Sequence, residues 1–206
     1  LPISNRDNYS SKLESLGCKV INIPFDNRGF NLFKDIYVLL KFFIYALSIN
    51  PSVFLSFNIK PIIFTGFISR IFFKKNIFMI TGLGTAFLKN GILKNIAIFL
   101  YKVSIKKNDC IFFQNQEDHD FFLNQKISIN VENYILPGSG VDLNKFYYNT
   151  YYEDKNLSFL FIGRILKSKG INEYLTTSLI LKKKYPNFNF NIVGSMITDS
   201  KDCVDK

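Results

Sequence analysis

The chain has 206 residues, 48% of them hydrophobic, so it can bury a core and is not a disordered segment. Its 26 lysines and arginines against 16 acidic residues give a formal charge of +10, which favours anionic partners such as phosphorylated small molecules, nucleic acid or an acidic membrane. A general bias toward Lys, Asn, Ile and Phe explains this charge equally well. Three scattered cysteines without Cys-x-x-Cys spacing argue against a disulfide framework or a zinc site and favour a reducing compartment.

Short apolar runs alternate with segments of helical period in the first two thirds of the chain. The predicted strands are 19–23, 52–57, 77–81, 110–114 and 132–137, and the predicted helices are about 32–49, 61–73, 92–106 and 117–125. This alternation predicts βαβ units and a parallel sheet covered on both faces. Because the sequence opens in what reads as the loop and helix after a strand, we expect this Rossmann-like unit to lack its first strand.

The predicted helix at 32–49 is apolar almost all round. Lys34, Lys41 and Ser48 recur every seven residues and leave only a narrow polar stripe. Such a helix is either packed deeply or lies against lipid. Its apolar part, 36–49, would be about 21 Å long, which is short of the ~30 Å hydrocarbon core of a bilayer.

The composition changes after residue 146. Residues 147–156 are polar and aromatic without a period and read as a linker, followed by a strand from 157, a helix at 171–184 and a strand at 189–194. Two strands and a helix are fewer than a domain needs. We therefore predict an N-terminal Rossmann-like domain at 1–150 and the truncated start of a second at 157–206.

Two cations lie at the first turn of this second unit, in FIGRILKSKGINEY. Gly163 ends an apolar run, Arg164 and Lys169 follow, and a helix begins after Gly170. Ligands of parallel α/β sheets lie beyond the carboxyl ends of strands, and a guanidinium, an ammonium and a helix N-terminus suit a diphosphate. The alternative is that both cations are simply solvated. Neither a Walker loop nor a G-x-G-x-x-G motif is present.

These residues carry a resemblance. The segment FLFIGRILKSKGINEYL resembles the start of the nucleotide-sugar-binding domain of family 4 retaining glycosyltransferases, which have the two-domain GT-B architecture. Four earlier segments resemble blocks of bacterial members that extend lipid-linked surface polysaccharide: FNIKPIIFTGFISR, MITGLGTAF, IFFQNQEDHDFF and NYILPGSGVDLNKF. The matches run from about residue 13 to 194.

The resemblance implies a donor site in the second unit. Arg164 and Lys169 would hold the donor diphosphate and stabilise the charge that develops on the departing nucleotide, a role that replaces a metal ion. Gly163 and Gly170 would form the turn around them. The donor would be a nucleotide-sugar, and neither a metal nor another cofactor is expected.

The resemblance also implies an acceptor side. Thr81, Gly82 and Gly84 match a loop that faces the cleft, and Gly138 and Ser139 match a second loop near it. The alternative is that the glycines serve only their turns, with Asp142 as the cap of a helix.

The cleft loop of the first unit carries Asn58, Lys60 and Thr65. Lys60 would meet an anionic acceptor, although Lys60-Pro61 is also an ordinary start of a helix.

The sequence departs from the family in two ways. Many members have an active-site histidine in the N-terminal domain, but the one histidine here is His119, at a predicted helix start, where we expect it to be solvated and not catalytic. The glutamate pair of the family's donor-site helix has no counterpart up to Lys206. We therefore expect these 206 residues alone to be inactive.

The resemblance thus implies that the chain is a fragment of an enzyme that transfers a sugar from a UDP-linked donor to a polyprenyl-diphosphate-linked acceptor. It would act as a peripheral protein at the cytoplasmic face of a membrane. The candidate membrane cations are Lys34, Lys41, Arg70, Lys74 and Lys75, each of which also suits plain solvation. The alternative is a non-catalytic membrane-associated or carbohydrate-binding module. Nucleic-acid binding rests on charge alone, since no recognition motif is present.

Overall fold

The computed structural model describes residues 2–3, 8–24, 31–84, 87, 91–148 and 157–196. The chain divides into two compact units, Leu1–Val141 and Asp142–Lys206. Most of the predicted linker, 149–156, lies outside the described residues, so the predicted domain limits stay predictions.

The first unit alternates strands and helices. In chain order its elements are β1 (Pro2–Ile3), α1 (Asn8–Ser15), β2 (Ile21–Asn22), α2 (Leu32–Ile49), β3 (Val53–Phe57), α3 (Ile59–Ile71), β4 (Lys75–Ile80), α4 (Ile92–Ser104), β5 (Cys110–Phe113), α5 (Gln116–Asn124) and β6 (Glu132–Ile135). Strands β3 to β6 pair in that order, all in parallel, and β1 pairs in parallel with β2. The predicted α/β class with a parallel sheet is confirmed.

The start of the chain needs a correction. A two-residue strand, β1, precedes α1, with Pro2 paired to Ile21 and Ile3 to Asn22, so the prediction that the first strand is missing is wrong in this detail. Helix α1 is the helix expected at the start of the sequence, although no bounds were predicted for it.

One face of the four-stranded sheet carries the core of the first unit. Buried side chains of β4 and β5 pack there against α3, α4 and α5; the ten residues of this cluster are Ile62, Phe78, Ile80, Ile98, Tyr101, Ile105, Ile111, Phe113, Phe122 and Ile127.

Burial in this core raises the pKa of the Tyr101 hydroxyl, and the nearby Asp118 carboxylate adds to the shift. At Gly66 the helices α3 and α4 approach so closely that an added Cβ would lie 2.5 Å from the Ser104 Cβ. Helices α3 and α4 are therefore in close contact at Gly66 and Ser104.

The second unit is built from β7 (Ser158–Ile162), α6 (Ile171–Lys184) and β8 (Asn189–Val193), with the two strands paired in parallel. Phe159 stacks on Phe190 at 5.1 Å between ring centroids. The Tyr174 hydroxyl of α6 lies 3.1 Å from the carbonyl oxygen of Phe159 and 2.9 Å from that of Asn191, which fixes the helix across both strands. Of the helices in the described ranges, none is long and apolar enough to cross a bilayer.

Candidate functional site

Polar side chains follow the strands at the carboxyl edge of the first sheet. Because the four strands are parallel, their carboxyl ends meet at one edge. Thr81, after β4, donates a hydrogen bond from Oγ1 to Oδ1 of Asn58, after β3, at 2.8 Å. Gln114, after β5, donates from Nε2 to Oγ of Ser139, in the loop after β6, at 2.6 Å. Thr81 and Ser139 of the predicted site thus lie on the same edge, each bound to a neighbouring strand end.

Asn58 has a strained backbone. Its φ of 66° and ψ of 165° lie in a region that only glycine adopts readily. It precedes α3 but makes no side-chain cap, because its carboxamide oxygen accepts from Thr81 instead. Such strain costs about 1–3 kcal/mol and collects at functional sites. Sequence reasoning had only placed Asn58 in the cleft loop, since nothing local signals this conformation.

The glycines of the next loop are explained by their own backbone. Gly82 and Gly84 have φ values of 128° and 71°, in the left-handed region. Of the described atoms, none would lie within 4 Å of a Cβ on Gly82, and a Cβ on Gly84 would lie 3.5 Å from Ile59 Cδ1. The backbone conformation of the turn therefore accounts for both glycines. Their contact with a substrate stays a prediction.

The loop after β6 is a glycine turn as well. Gly138 and Gly140 have φ values of 80° and 72°, again with open space where a Cβ would be. Asp142 accepts a hydrogen bond from the Asn144 amide at 3.0 Å, while 141–148 contain no helix. The expected helix cap at Asp142 is thus an Asx turn.

Lys60 has a partner inside the protein. Its Nζ lies 2.8 Å from Oδ1 of Asp35 on α2, and the two side chains are 18% and 13% exposed. The ammonium charge is therefore compensated, and the pair ties the start of α3 to α2. This pairing argues against Lys60 as a free cation for an acceptor. Thr65 is buried, with its hydroxyl 2.8 Å from Ser56 Oγ, so it does not face a cleft.

His119 is not solvated, contrary to expectation. Its side chain is 18% exposed, and its ring meets Phe113 edge-on at 5.3 Å between centroids. Gln116 Nε2 donates to Asp120 Oδ1 at 2.8 Å, and His119 Nδ1 lies 3.1 Å from the same oxygen. These two contacts, Gln116 first, hold the pKa of Asp120 below its usual value. The half-buried ring is explained by packing on the end of β5.

In the second unit, backbone hydrogen bonds between strands hold the segment that contains Arg164. Pairing of β7 with β8 continues past Arg164, because Gly163 donates to the Val193 carbonyl at 3.0 Å and Ile165 to the Ser195 carbonyl at 3.1 Å.

A 3₁₀ turn, Lys167–Lys169, follows between the buried Leu166 and Ile171. Gly170, with a φ of 81°, then leads into α6.

Arg164 and Lys169 are both exposed on this turn, at the carboxyl end of β7. No hydrogen bond or ion pair joins either side chain to another described residue. The structure therefore brings both cations to one short loop and leaves their charges uncompensated by the described part of the chain. That they converge on one ligand stays a prediction.

Gly194 is a site residue that sequence reasoning missed. It follows β8 as Gly163 follows β7, and a Cβ added to it would collide with the Gly163 carbonyl oxygen. Only glycine therefore lets the end of β8 lie against the turn that carries Arg164. The repeated pattern, an apolar strand ending in glycine (FIG and IVG), was the available signal.

A shallow concavity of about 450 Å³ lies elsewhere on the second unit, lined by residues that include Ser158, Ser178, Lys182 and Asn189. Lys182 Nζ donates to the Phe188 carbonyl at 2.6 Å, so this charge is engaged. The concavity lies toward the amino ends of β7 and β8, away from Arg164, and its lining includes no carboxylate, histidine or cysteine. Among the residues with described positions, no group of His, Cys, Asp and Glu has the arrangement of a metal site.

Comparison with known proteins gives one curated relative. The chain is 28% identical over 221 residues to the N,N'-diacetylbacillosaminyl-diphospho-undecaprenol alpha-1,3-N-acetylgalactosaminyltransferase of Campylobacter jejuni subsp. jejuni serotype O:2. The match covers 92% of this chain and 54% of the relative, so the chain spans about half of the relative's length. No family model matches the chain.

Among solved structures, the chain is similar to MurG of Acinetobacter baumannii, with a TM-score of 0.45 and 11% identity. This similarity covers 97% of the chain and 57% of MurG. A TM-score below 0.5 supports no further inference.

Proposed function

We propose that the chain is part of a glycosyltransferase that moves a sugar from a nucleotide-sugar, UDP-linked, to a polyprenyl-diphosphate-linked saccharide in capsule, O-antigen or related glycan assembly. The observation that carries this proposal is the pair of exposed cations, Arg164 and Lys169, on a rigid turn at the carboxyl end of β7. The curated relative, whose name describes sugar transfer to a diphospho-undecaprenol-linked saccharide, supports the same reaction class.

The chemistry requires positive charge at the leaving group. Breaking the bond between sugar and nucleotide leaves negative charge on the diphosphate, and fixed cations that lie close to it lower the barrier. Arg164 would bind phosphate oxygens with its planar fork, and Lys169 would add a point charge. The turn is anchored by the buried Leu166 and Ile171, so little conformational freedom of the backbone is lost when the diphosphate binds.

The first unit would bind the acceptor. Its carboxyl edge presents neutral hydrogen-bonding groups, including Thr81 and Ser139, and glycines at 82, 84 and 138, of which Gly84 and Gly138 are exposed. Such groups suit sugar hydroxyls. We further propose the GT-B architecture, membership of family 4, retention of anomeric configuration and peripheral association with the cytoplasmic face of the membrane. These finer statements follow from the resemblance of the sequence.

A transfer assay tests the proposal. The chain, and a version extended at its C-terminus toward the relative's length, are each incubated with radiolabelled UDP-sugars and a polyprenyl-diphosphate-linked saccharide. We expect label in the lipid extract with the extended protein and none with the 206-residue chain. Activity of either form would exclude a non-catalytic module. If neither form transfers label while both bind UDP, the non-catalytic alternative replaces the enzyme.

A further inference from the structure

The outward face of α2 is apolar. We use the name outer α2 face for the exposed residues Phe33, Ile36, Tyr37, Leu40, Ile44 and Leu47. Phe33 is 85% exposed, and Leu40, Ile44 and Leu47 are each between 55% and 57% exposed. At 3.6 residues per turn these six positions fall within an arc of about 100°. An exposed helical face of this kind is ordinarily polar.

The opposite side of α2 is already packed. Val38 is buried in a cluster with Ile63 and Phe64 of α3. The sequence left open whether α2 is packed deeply or lies against lipid. The structure satisfies one side of the helix by packing and leaves the outer α2 face without cover from the described residues. An apolar face that the described residues leave uncovered is typical of a surface that binds a partner.

Cations border the outer α2 face on both sides. Lys34 and Lys41 lie on one border, with Lys41 Nζ 5.6 Å from the centroid of the Tyr37 ring. On the other border Phe43 packs against Phe72 at 5.6 Å, which brings the connection between α3 and β4 beside α2.

That connection adds charge and apolar surface. Phe73 of the connection is 94% exposed, and the exposed cations Arg70, in the last turn of α3, and Lys75, the first residue of β4, flank it. The one acidic residue of α2, Asp35, is bound to Lys60 and lies off the outer face. The surface thus has an apolar centre, a cationic border and no carboxylate of α2 beside it.

We propose that the outer α2 face lies in the interface of a membrane that contains anionic lipids, with α2 parallel to the bilayer plane. Apolar side chains would enter the boundary between headgroups and acyl chains, while the bordering cations would bind lipid phosphates. A second copy of the chain fits less well, because a two-fold interface would set Lys34 and Lys41 of one copy near those of the other. The inference rests on the proposed peripheral association and specifies the element of the first unit that binds the membrane.

Vesicle sedimentation tests this proposal without any sugar donor, so its failure is distinguishable from failure of the transfer reaction. The full chain is mixed with vesicles of phosphatidylcholine, with and without phosphatidylglycerol. We expect binding to the anionic vesicles. The double variant Leu40→Glu/Ile44→Glu should lower the partition coefficient at least about tenfold, because it removes apolar contacts and adds charge repelled by the lipid.

A matched control comes from α4, where Ile96 and Phe99 are also exposed apolar residues of the same unit. The variant Ile96→Glu/Phe99→Glu should bind as the unmodified chain does, and circular dichroism checks that both variants fold. Replacement of Lys34 and Lys41 by Gln should weaken binding to anionic vesicles roughly fivefold per lysine.

Three results would overturn the proposal. The first is no binding of the unmodified chain to anionic vesicles. The second is equal loss in the α2 and α4 variants. The third is a concentration-dependent dimer, measured by sedimentation velocity, that the α2 variant abolishes while vesicle binding is unchanged.

Discussion

The two parallel sheets end differently at their carboxyl edges. In the first unit, polar groups at this edge are satisfied within the protein: Thr81 by Asn58, Ser139 by Gln114, and the nearby Lys60 by Asp35. In the second unit, Arg164 and Lys169 stand exposed, with no ion pair to the rest of the described chain. At the carboxyl edge of the first unit the named polar groups are hydrogen-bonded or paired with each other. At the carboxyl edge of the second unit two cations are exposed and unpaired by the described residues.

This difference separates two kinds of recognition. A charged ligand gains most where the protein has left charge uncompensated, since a hydrogen bond to a charged group contributes about 1.5–3 kcal/mol. A neutral, hydroxyl-rich ligand gains more from oriented donors and acceptors. The contrast favours the proposed binding of the diphosphate by the second unit and of sugar hydroxyls by the first, and four sets of substitutions test this proposal.

The largest effect is expected at the charged edge. Arg164→Ala and Lys169→Ala should each weaken UDP binding by roughly 10- to 100-fold, because each removes a charge-assisted contact to phosphate. Isothermal titration calorimetry measures the change. The control is Lys183→Ala, which removes the same charge from the far end of α6. Equal losses in all three variants would mean that net charge, and not this turn, binds the nucleotide.

The next effect concerns the backbone behind that turn. Gly194→Ala should lower the free energy of unfolding by about 1–3 kcal/mol, because the new Cβ collides with the Gly163 carbonyl. UDP binding should weaken as well, since Arg164 follows Gly163. Urea denaturation and calorimetry measure the two quantities. Gly91→Ala, where a Cβ meets open space, is the control; a similar cost at both positions would contradict the close approach.

A smaller effect of opposite sign is expected at the neutral edge. Asn58→Gly relieves a strain of about 1–3 kcal/mol and loses one hydrogen bond of about 1 kcal/mol, so it should be as stable as the unmodified chain or slightly more stable. Thr81→Val loses the same bond and keeps the strain, so it should be less stable. Both should impair acceptor-dependent transfer in the extended protein. A marked loss of stability in Asn58→Gly would show that the strain is not real.

The smallest effect is expected at the pair of Lys60 and Asp35. Lys60→Met and Asp35→Asn should each cost about 1 kcal/mol of stability, because a pair that solvent still reaches, at 18% and 13% exposure, contributes less than a fully buried one. A double-mutant cycle by urea denaturation isolates the pair. If Lys60 only ties α3 to α2, both variants should change the acceptor KM alike. A larger rise of the acceptor KM for Lys60→Met than for Asp35→Asn would indicate that Lys60 contacts the acceptor.

The regular elements were predictable because their signals are local. Helices α2 and α6 were predicted at 32–49 and 171–184, the bounds that the structure gives. Apolar period and end signals, such as Asn31, whose side chain accepts from the Lys34 amide, lie within a few residues of each boundary. Strand β1 escaped prediction because two residues carry no period and owe their strand conformation to pairing with β2.

By itself, the sequence determined the α/β class and the carboxyl ends of the strands to within about two residues. It therefore indicated which residues lie on one edge, because parallel strands all end there. The tertiary structure decided which of them are engaged. Asn58 meets Thr81 across 23 residues and Lys60 meets Asp35 across 25, and the contact of Gly194 with Gly163 depends on the pairing of β7 with β8. These contacts arise from strand register and helix packing, which no local pattern encodes.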